Sequence, residues 1–211
     1  EDPSDGTTPV QRGSDFGMTR AQAMRTSAFW IIAVSLGSMS MLVTALFFHQ
    51  VTMFESKGLS ASFAASLFPV SSICMAVCMP LFGRSLDRVR TQYSFAAALV
   101  VMCVSLVAMA MVNDPVSAVA YAIIFGVCNA AVQSHYTYMW PRFFGRRHLG
   151  SIQGVAQTIG VIGASIGPLP LAIAFDLTGS FDSMLYALSV IPIVCAIAVF
   201  NMSEPELDRA G

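Results

Sequence analysis

Charged side chains are scarce in this chain. Only 11% of the 211 residues are Asp, Glu, Lys or Arg, while 55% are hydrophobic, whereas soluble domains carry about 25% charged residues. This composition argues against a water-soluble fold. The formal net charge of −1 provides no basic surface for nucleic acid, so we expect neither DNA nor RNA as a partner.

The cysteines form neither a disulfide framework nor a zinc-ligand pattern, because all five lie inside apolar runs. Cys74 and Cys78 are spaced to share a helix face, but the same run contains no His or carboxylate that could complete a metal site. We therefore expect the cysteines to pack as apolar side chains. The sequence predicts no metal and no cofactor.

Six long runs contain no Asp, Glu, Lys or Arg. A bilayer core requires about 20 apolar residues per helix, and in lipid only helices and closed barrels satisfy their own backbone hydrogen bonds. The sequence thus predicts an all-α membrane protein, with a polar linker and short surface helix at 1–25, a six-helix bundle at 26–203 and a tail at 204–211. The six runs are 26–54, 58–83, 91–113, 115–141, 149–175 and 183–203.

Arginine is distributed unevenly between the two ends of the predicted bundle. All ten arginines fall before the first run, after the second, after the fourth or after the sixth. Because positive residues favour the cytoplasmic side, this pattern predicts that both termini are cytoplasmic, and the plasma (inner) membrane is the expected location. The charged stretch 83–90 would then be a cytoplasmic turn that acts as a hinge between two spans.

Within that stretch, Gly83, Asp87 and Arg88 form Gly-x-x-x-Asp-Arg, which resembles the cytoplasmic signature of the major facilitator superfamily. Residues 140–154 and 175–181, with His49 and 58–60, resemble other parts of that family, especially monocarboxylate and oxalate/formate transporters. The resemblance covers nearly all of 26–203. It implies the carboxyl-terminal six-helix half of a transporter, and the start at Glu1 without Met fits an expectation of a longer product.

Two sets of residues are candidates for conformational gating. By the resemblance, Asp87 and Arg88 can pair with neighbouring helices and lock one access state, and Gly83 permits close helix approach. Arg84 and Arg90 are more simply positive anchors at the membrane surface. In the fifth run, Gly163, Gly167 and Pro168 follow a Gly-x-x-x-Gly pattern with a terminal proline, which favours close packing and a bend.

Polar residues inside the runs indicate a solute path. Asn129, Gln133 and Tyr136 lie at i, i+4 and i+7 in the fourth run and should share one helix face, whereas His135 points about 100° away from Tyr136. Ser38 and His49 share a stripe in the first run. We predict these five path residues as substrate-binding, although interhelical hydrogen bonding and, for His49, an interfacial position are alternatives.

Strong charge is absent from the predicted pathway. Transporters similar to the monocarboxylate group carry an arginine about one turn before the signature glycine, where this chain has Met79. The second run presents Ser71, Cys74, Met75 and Cys78 on one weakly polar face. This argues against an anion held by this half, and any buried proton-coupling carboxylate would have to come from elsewhere.

The predicted function is secondary transport of a small organic solute by alternating access, without enzyme activity. Expected partners are the solute, the lipid bilayer and either an amino-terminal half or a second six-helix bundle. One alternative is a non-transporting membrane receptor or scaffold. Another is an intramembrane serine protease, because Gly163, Ser165 and Gly167 fit Gly-x-Ser-x-Gly; all three histidines precede that serine, which argues against it.

The predicted topology can be tested by labelling single engineered cysteines in intact cells, in a background without the native cysteines. Cysteines placed beside Arg88 or Arg146 should not react with a membrane-impermeant thiol reagent, because those positions face the cytoplasm. Cysteines beside Glu55 should react and serve as the control. Labelling beside Arg88 or Arg146 would overturn the six-span topology.

Overall fold

The computed structural model describes residues 17–202. Most of the predicted linker, at 1–16, and the predicted tail, at 204–211, lie outside these residues. Within the described range every regular element is a helix. The helices are α1 (Arg20–Met24), α2 (Ser27–Ser56), α3 (Ala61–Arg88), α4 (Thr91–Ala110), α5 (Pro115–Phe144), α6 (Leu149–Ile166), α7 (Pro168–Thr178), α8 (Asp182–Leu188) and α9 (Val190–Phe200).

Between residues 17 and 202, six spans are long and apolar enough to cross a membrane: α2, α3, α4, α5, α6 with α7, and α8 with α9. They match the six charge-free runs in number and order. The fold class predicted from the sequence is confirmed. The spans arise because each run is long enough to cover the hydrocarbon core while its backbone hydrogen bonds stay within one helix.

The turn between the second and third spans is shorter than the predicted stretch 83–90. Helix α3 continues through the charged residues to Arg88, and only Val89 and Arg90 separate it from α4. Leu86 explains the difference: its side chain is buried and its carbonyl accepts a 3.0 Å hydrogen bond from the Tyr138 hydroxyl. This last turn of α3 is thus held against α5 as helix.

Proline interrupts two of the spans. Pro168 and Pro170 lack the N–H groups that would bond to the carbonyls four residues earlier, and α6 ends at Ile166, with Gly167 joining it to α7. The break expected at Pro168 is therefore present. A second break, at Ser189 between α8 and α9, is explained by Pro192, which leaves the carbonyl of Leu188 without its helical donor.

Side-chain caps fix where several spans begin. Asp114, before Pro115, accepts hydrogen bonds from the backbone N–H groups of Val116 (2.8 Å) and Ser117 (3.0 Å). These bonds favour the carboxylate and lower the pKa of Asp114 below its ordinary value. Ser60 caps α3 through the N–H of Phe63 at 3.3 Å. Both residues are of the types that favour helix N-caps, because their side-chain oxygens accept from the first free backbone N–H groups.

Three glycines allow the spans to approach closely. A Cβ on Gly163 would lie 2.6 Å from the carbonyl oxygen of Gly37 in α2, and one on Gly167 would clash with the carbonyl of Met41. A Cβ on Gly126 of α5 would lie 2.5 Å from the carbonyl oxygen of Ser71 in α3. The Gly-x-x-x-Gly pattern at Gly163 and Gly167 therefore packs the fifth span closely, as expected, and the structure identifies α2 as its partner.

The two ends of the bundle are tied by different contacts. At one end, the N–H of Met18 donates to the carbonyl of Phe144 at 2.9 Å, so the chain entering α1 is attached to the α5–α6 connection. At the other end, the Lys57 Nζ lies 3.0 Å from Asp182 Oδ1 and donates to the carbonyl of Ala110 at 2.7 Å. Lys57 therefore joins the ends of α2, α4 and α8.

Gly163 and Gly160 provide a matched test of this packing. Gly163→Ala should lower the thermal midpoint of the purified protein in detergent, since overpacking costs about 1–3 kcal/mol. Gly160→Ala should leave the midpoint unchanged or raise it, because a Cβ there meets nothing within 4 Å and alanine favours helix. Equal midpoints for the two variants would contradict the close α2–α6 contact.

Candidate functional site

An open cavity of about 120 Å³ lies where α2, α3 and α5 meet. Its walls are mainly aromatic and aliphatic, with a small number of polar groups. No side chain that lines it carries a formal charge. The lining residues are Phe47, Phe68, Ser71, Ser72, Met75, Phe125 and Asn129.

Helical spacing brings the lining residues together. Phe125 and Asn129 are one turn apart on α5, and Phe68, Ser72 and Met75 follow one another along one side of α3. Gly126 brings these two helices into contact, since its backbone lies against Ser71. The floor of the cavity is therefore set by the close α3–α5 contact, while Phe47 of α2 forms the third wall.

The predicted polar face of α5, formed by Asn129, Gln133 and Tyr136, points away from the core. Only one of these three residues lines the cavity. Asn129 does so, and its Nδ2 donates to the carbonyl of Phe125 at 2.8 Å. Gln133 is exposed. Tyr136 donates its hydroxyl proton to Gln157 Oε1 of α6 at 2.5 Å, so this part of the line links the fourth and fifth spans.

The two predicted residues on α2 lie elsewhere. His49 Nε2 is 3.1 Å from the carbonyl oxygen of Pro168, and its ring centroid is 5.6 Å from that of Phe181. Ser38 donates to the carbonyl of Val34 at 2.7 Å and lies 3.9 Å from the sulfur of Cys195 in α9. Neither residue lines the cavity with Asn129, and their substrate-binding roles stay predictions.

His135 faces away from this surface, as the helical spacing predicted. It is buried, with Nε2 3.1 Å from the Ser94 hydroxyl oxygen and Nδ1 2.7 Å from the carbonyl oxygen of Ala131. Its ring stacks on Phe95 with a centroid distance of 5.4 Å. Both ring nitrogens have partners, so His135 serves the α4–α5 interface.

The candidate gating residues fall into two groups. Gly163, Gly167 and Pro168 lie at the α2 contact and at the helix break. Asp87 and Arg88 are exposed at the end of α3, and within residues 17–202 neither forms a salt bridge, since Lys57–Asp182 is the one pair found there. A Cβ on Gly83 would meet nothing within 4 Å, so the close approach expected at Gly83 is not made inside this bundle.

The chemistry expected of a protease is not assembled here. Ser165 donates to the carbonyl of Val161 in its own helix at 2.8 Å, and among residues 17–202 no histidine is hydrogen-bonded to it. The same range contains no group of three or more His, Cys, Asp or Glu side chains that could hold a metal ion.

Sequence reasoning missed the aromatic walls of the cavity. It identified Asn129 and the Ser71 and Met75 face, but not Phe47, Phe68 or Phe125. A signal for Phe125 existed, because it lies one turn before Asn129 on the same face. Phe47 and Phe68 could not be recognised, since phenylalanines that face lipid occur in the same kind of apolar run.

Comparison with known proteins decides the family. The family model described as Major Facilitator Superfamily matches residues 28–210, a range that contains nearly all of the bundle. The chain belongs to the major facilitator superfamily. Together with the six apolar helices, this makes the chain an integral membrane protein with the helices of one six-helix half of the superfamily fold.

The chain is also similar to the 2-nitroimidazole transporter of Escherichia coli (strain K12), which is 24% identical over 177 residues. The alignment covers 82% of this chain and 44% of the relative. The chain therefore spans less than half the length of the transporter it matches. The superfamily and this relative both support membrane transport as the general function.

Proposed function

We propose that this chain is the carboxyl-terminal half of a secondary transporter that moves a small organic solute by alternating access. The observation that carries the proposal is the open, uncharged cavity at Asn129, on a polar face of α5 that continues to Gln133 and Tyr136. In transporters, sites lie near the bilayer midplane at the interface between repeats. Asn129 is near the middle of α5, in keeping with that depth.

The uneven burial of the spans supports a second half. In the most apolar 18-residue segment of each span, only 11% of the residues are buried in α3 and 22% in α6 with α7. The corresponding shares are 50% in α2 and α5 and 56% in α4. On α3, Ile73, Val77 and Leu81 form an exposed stripe. We propose that another six-helix bundle covers α3, α6 and α7, and that it is either an amino-terminal half or a second copy.

The same arrangement gives the signature residues a role. Asp87 and Arg88 lie exposed beyond the buried Leu86, so their charges are open to groups on the opposing bundle. A charge-assisted pair across that interface would stabilise one access state. If the arginines are cytoplasmic, this lock lies on the inner side of the plasma (inner) membrane and both termini are cytoplasmic. In this arrangement 1–25 is the linker between the two halves.

The rival function is a membrane receptor or scaffold that keeps the fold and has lost the pathway. Lipid alone could cover the exposed apolar stripe on α3, since apolar faces of spanning helices need no protein partner. The cavity favours transport over this rival, because a scaffold has no need for polar groups that open toward the same uncharged space.

Transport can be measured with the full-length product of the gene in proteoliposomes. We expect saturable uptake or exchange of at least one solute from a panel of 2-nitroimidazole, monocarboxylates, oxalate, formate and small uncharged organic compounds. Protein-free liposomes give the background, and Gly160→Ala gives a variant expected to keep full activity. A protein that moves none of these solutes would favour the receptor or scaffold.

Asp87→Asn tests the proposed lock. The substitution removes the charge while keeping the shape, so exchange between access states should slow several-fold with expression unchanged. Arg84→Gln is the matched control on the same helix turn, because Arg84 is expected to act only as a surface anchor. Transport by Asp87→Asn at the rate of the unmodified protein would count against a locking role for Asp87.

A further inference from the structure

The cavity between α2, α3 and α5 also indicates which class of solute it accepts. We infer that it binds an uncharged compound built on one aromatic ring with a hydrogen-bonding substituent. This inference rests on the proposed function, since it assigns a substrate class to the same site. Three features of the lining carry it: the lack of charge, the aromatic walls and the polar atoms that are left open.

The lining of the cavity offers no counter-charge to an ionic solute. Moving an ion from water into an apolar space is costly unless an opposite charge or a full set of hydrogen bonds receives it. The lining offers two hydroxyls, one amide and otherwise apolar atoms. These groups give an anion or cation no counter-charge, whereas a neutral solute needs none.

The walls fit a flat ring. Phe47 and Phe68 meet edge to face, with ring centroids 5.3 Å apart and planes at 63°, and Phe125 and Met75 complete the apolar surface. Aromatic rings favour offset or edge-to-face neighbours and contacts with methionine sulfur. An apolar cavity of about 150 Å³ holds one benzene molecule, so an open cavity of about 120 Å³ suits a single ring with a substituent at its mouth.

The polar atoms define the substituent. Asn129 uses one amide hydrogen on the carbonyl of Phe125. Its second hydrogen and its Oδ1, as well as the hydroxyl of Ser72, have no hydrogen-bond partner within the described part of the chain. Ser71 already donates to the carbonyl of Leu67 at 3.3 Å. A substituent that both donates and accepts, such as a carboxamide or a hydroxyl, would pair with Asn129 and Ser72.

The roles of charge and of the aromatic ring can be tested separately with four probe compounds. Their equilibrium binding to the full-length protein is measured in detergent. Benzamide and phenol carry the ring and a neutral polar group. Benzoate keeps the ring and adds a charge, and cyclohexanecarboxamide keeps the amide without the aromatic ring. We expect benzamide or phenol to bind at least about tenfold more tightly than the last two, a difference of about 1.4 kcal/mol.

A matched pair of variants tests the assignment to this cavity. Asn129→Leu should weaken benzamide binding roughly three- to tenfold, since a neutral hydrogen bond contributes about 0.5–1.5 kcal/mol. Asn201→Leu should leave it unchanged, because Asn201 donates to the carbonyl four residues earlier in the same way but lies outside the cavity. Equal binding to both variants would overturn the assignment even if both fold and elute normally.

These binding experiments distinguish an error in the substrate class from an error in the transport proposal. If the protein transports some solute of the panel but binds neither benzamide nor phenol, or binds benzoate as tightly, the substrate class is wrong and transport stands. If benzamide binds through Asn129 but no solute is moved, the ring-binding site is supported and the transport proposal fails.

Discussion

Close contact between helix backbones is the constraint on which the bundle depends. In lipid, apolar side chains gain little by leaving the surrounding hydrocarbon, so spans associate through packing and hydrogen bonds. Gly163 and Gly167 bring the fifth span against α2, and Gly126 brings α5 against α3. The contact at Gly126 sets the spacing of α3 and α5, two of the three helices that line the cavity.

The sequence predicted what depends on length and local chemistry. Six spans followed from the charge-free runs, because a charge at the bilayer centre is costly and each run exceeds the core thickness. The caps at Ser60 and Asp114 depend on the same kind of local chemistry, because these side chains bond to nearby backbone N–H groups. The break at Pro168 followed from a missing donor, and Pro192 carried the same signal in the sixth span without being used.

What could not be predicted depends on tertiary contacts. The stretch 83–90 is charged and looks like a turn, but the burial of Leu86 and its bond to Tyr138 keep α3 helical to Arg88. Asn129 and Tyr136 share a face, yet one lines a cavity and the other bonds to α6. Spacing places residues on a face but does not say which neighbour that face meets.

The tie at Lys57 limits how the bundle can deform. Its ammonium group bridges the carboxylate of Asp182 and the carbonyl of Ala110, and its side chain is only 13% exposed. Separating α2, α4 and α8 at this end would break two charge-assisted hydrogen bonds together. Lys57 therefore couples the ends of these three helices, so a displacement of one end is transmitted to the other two.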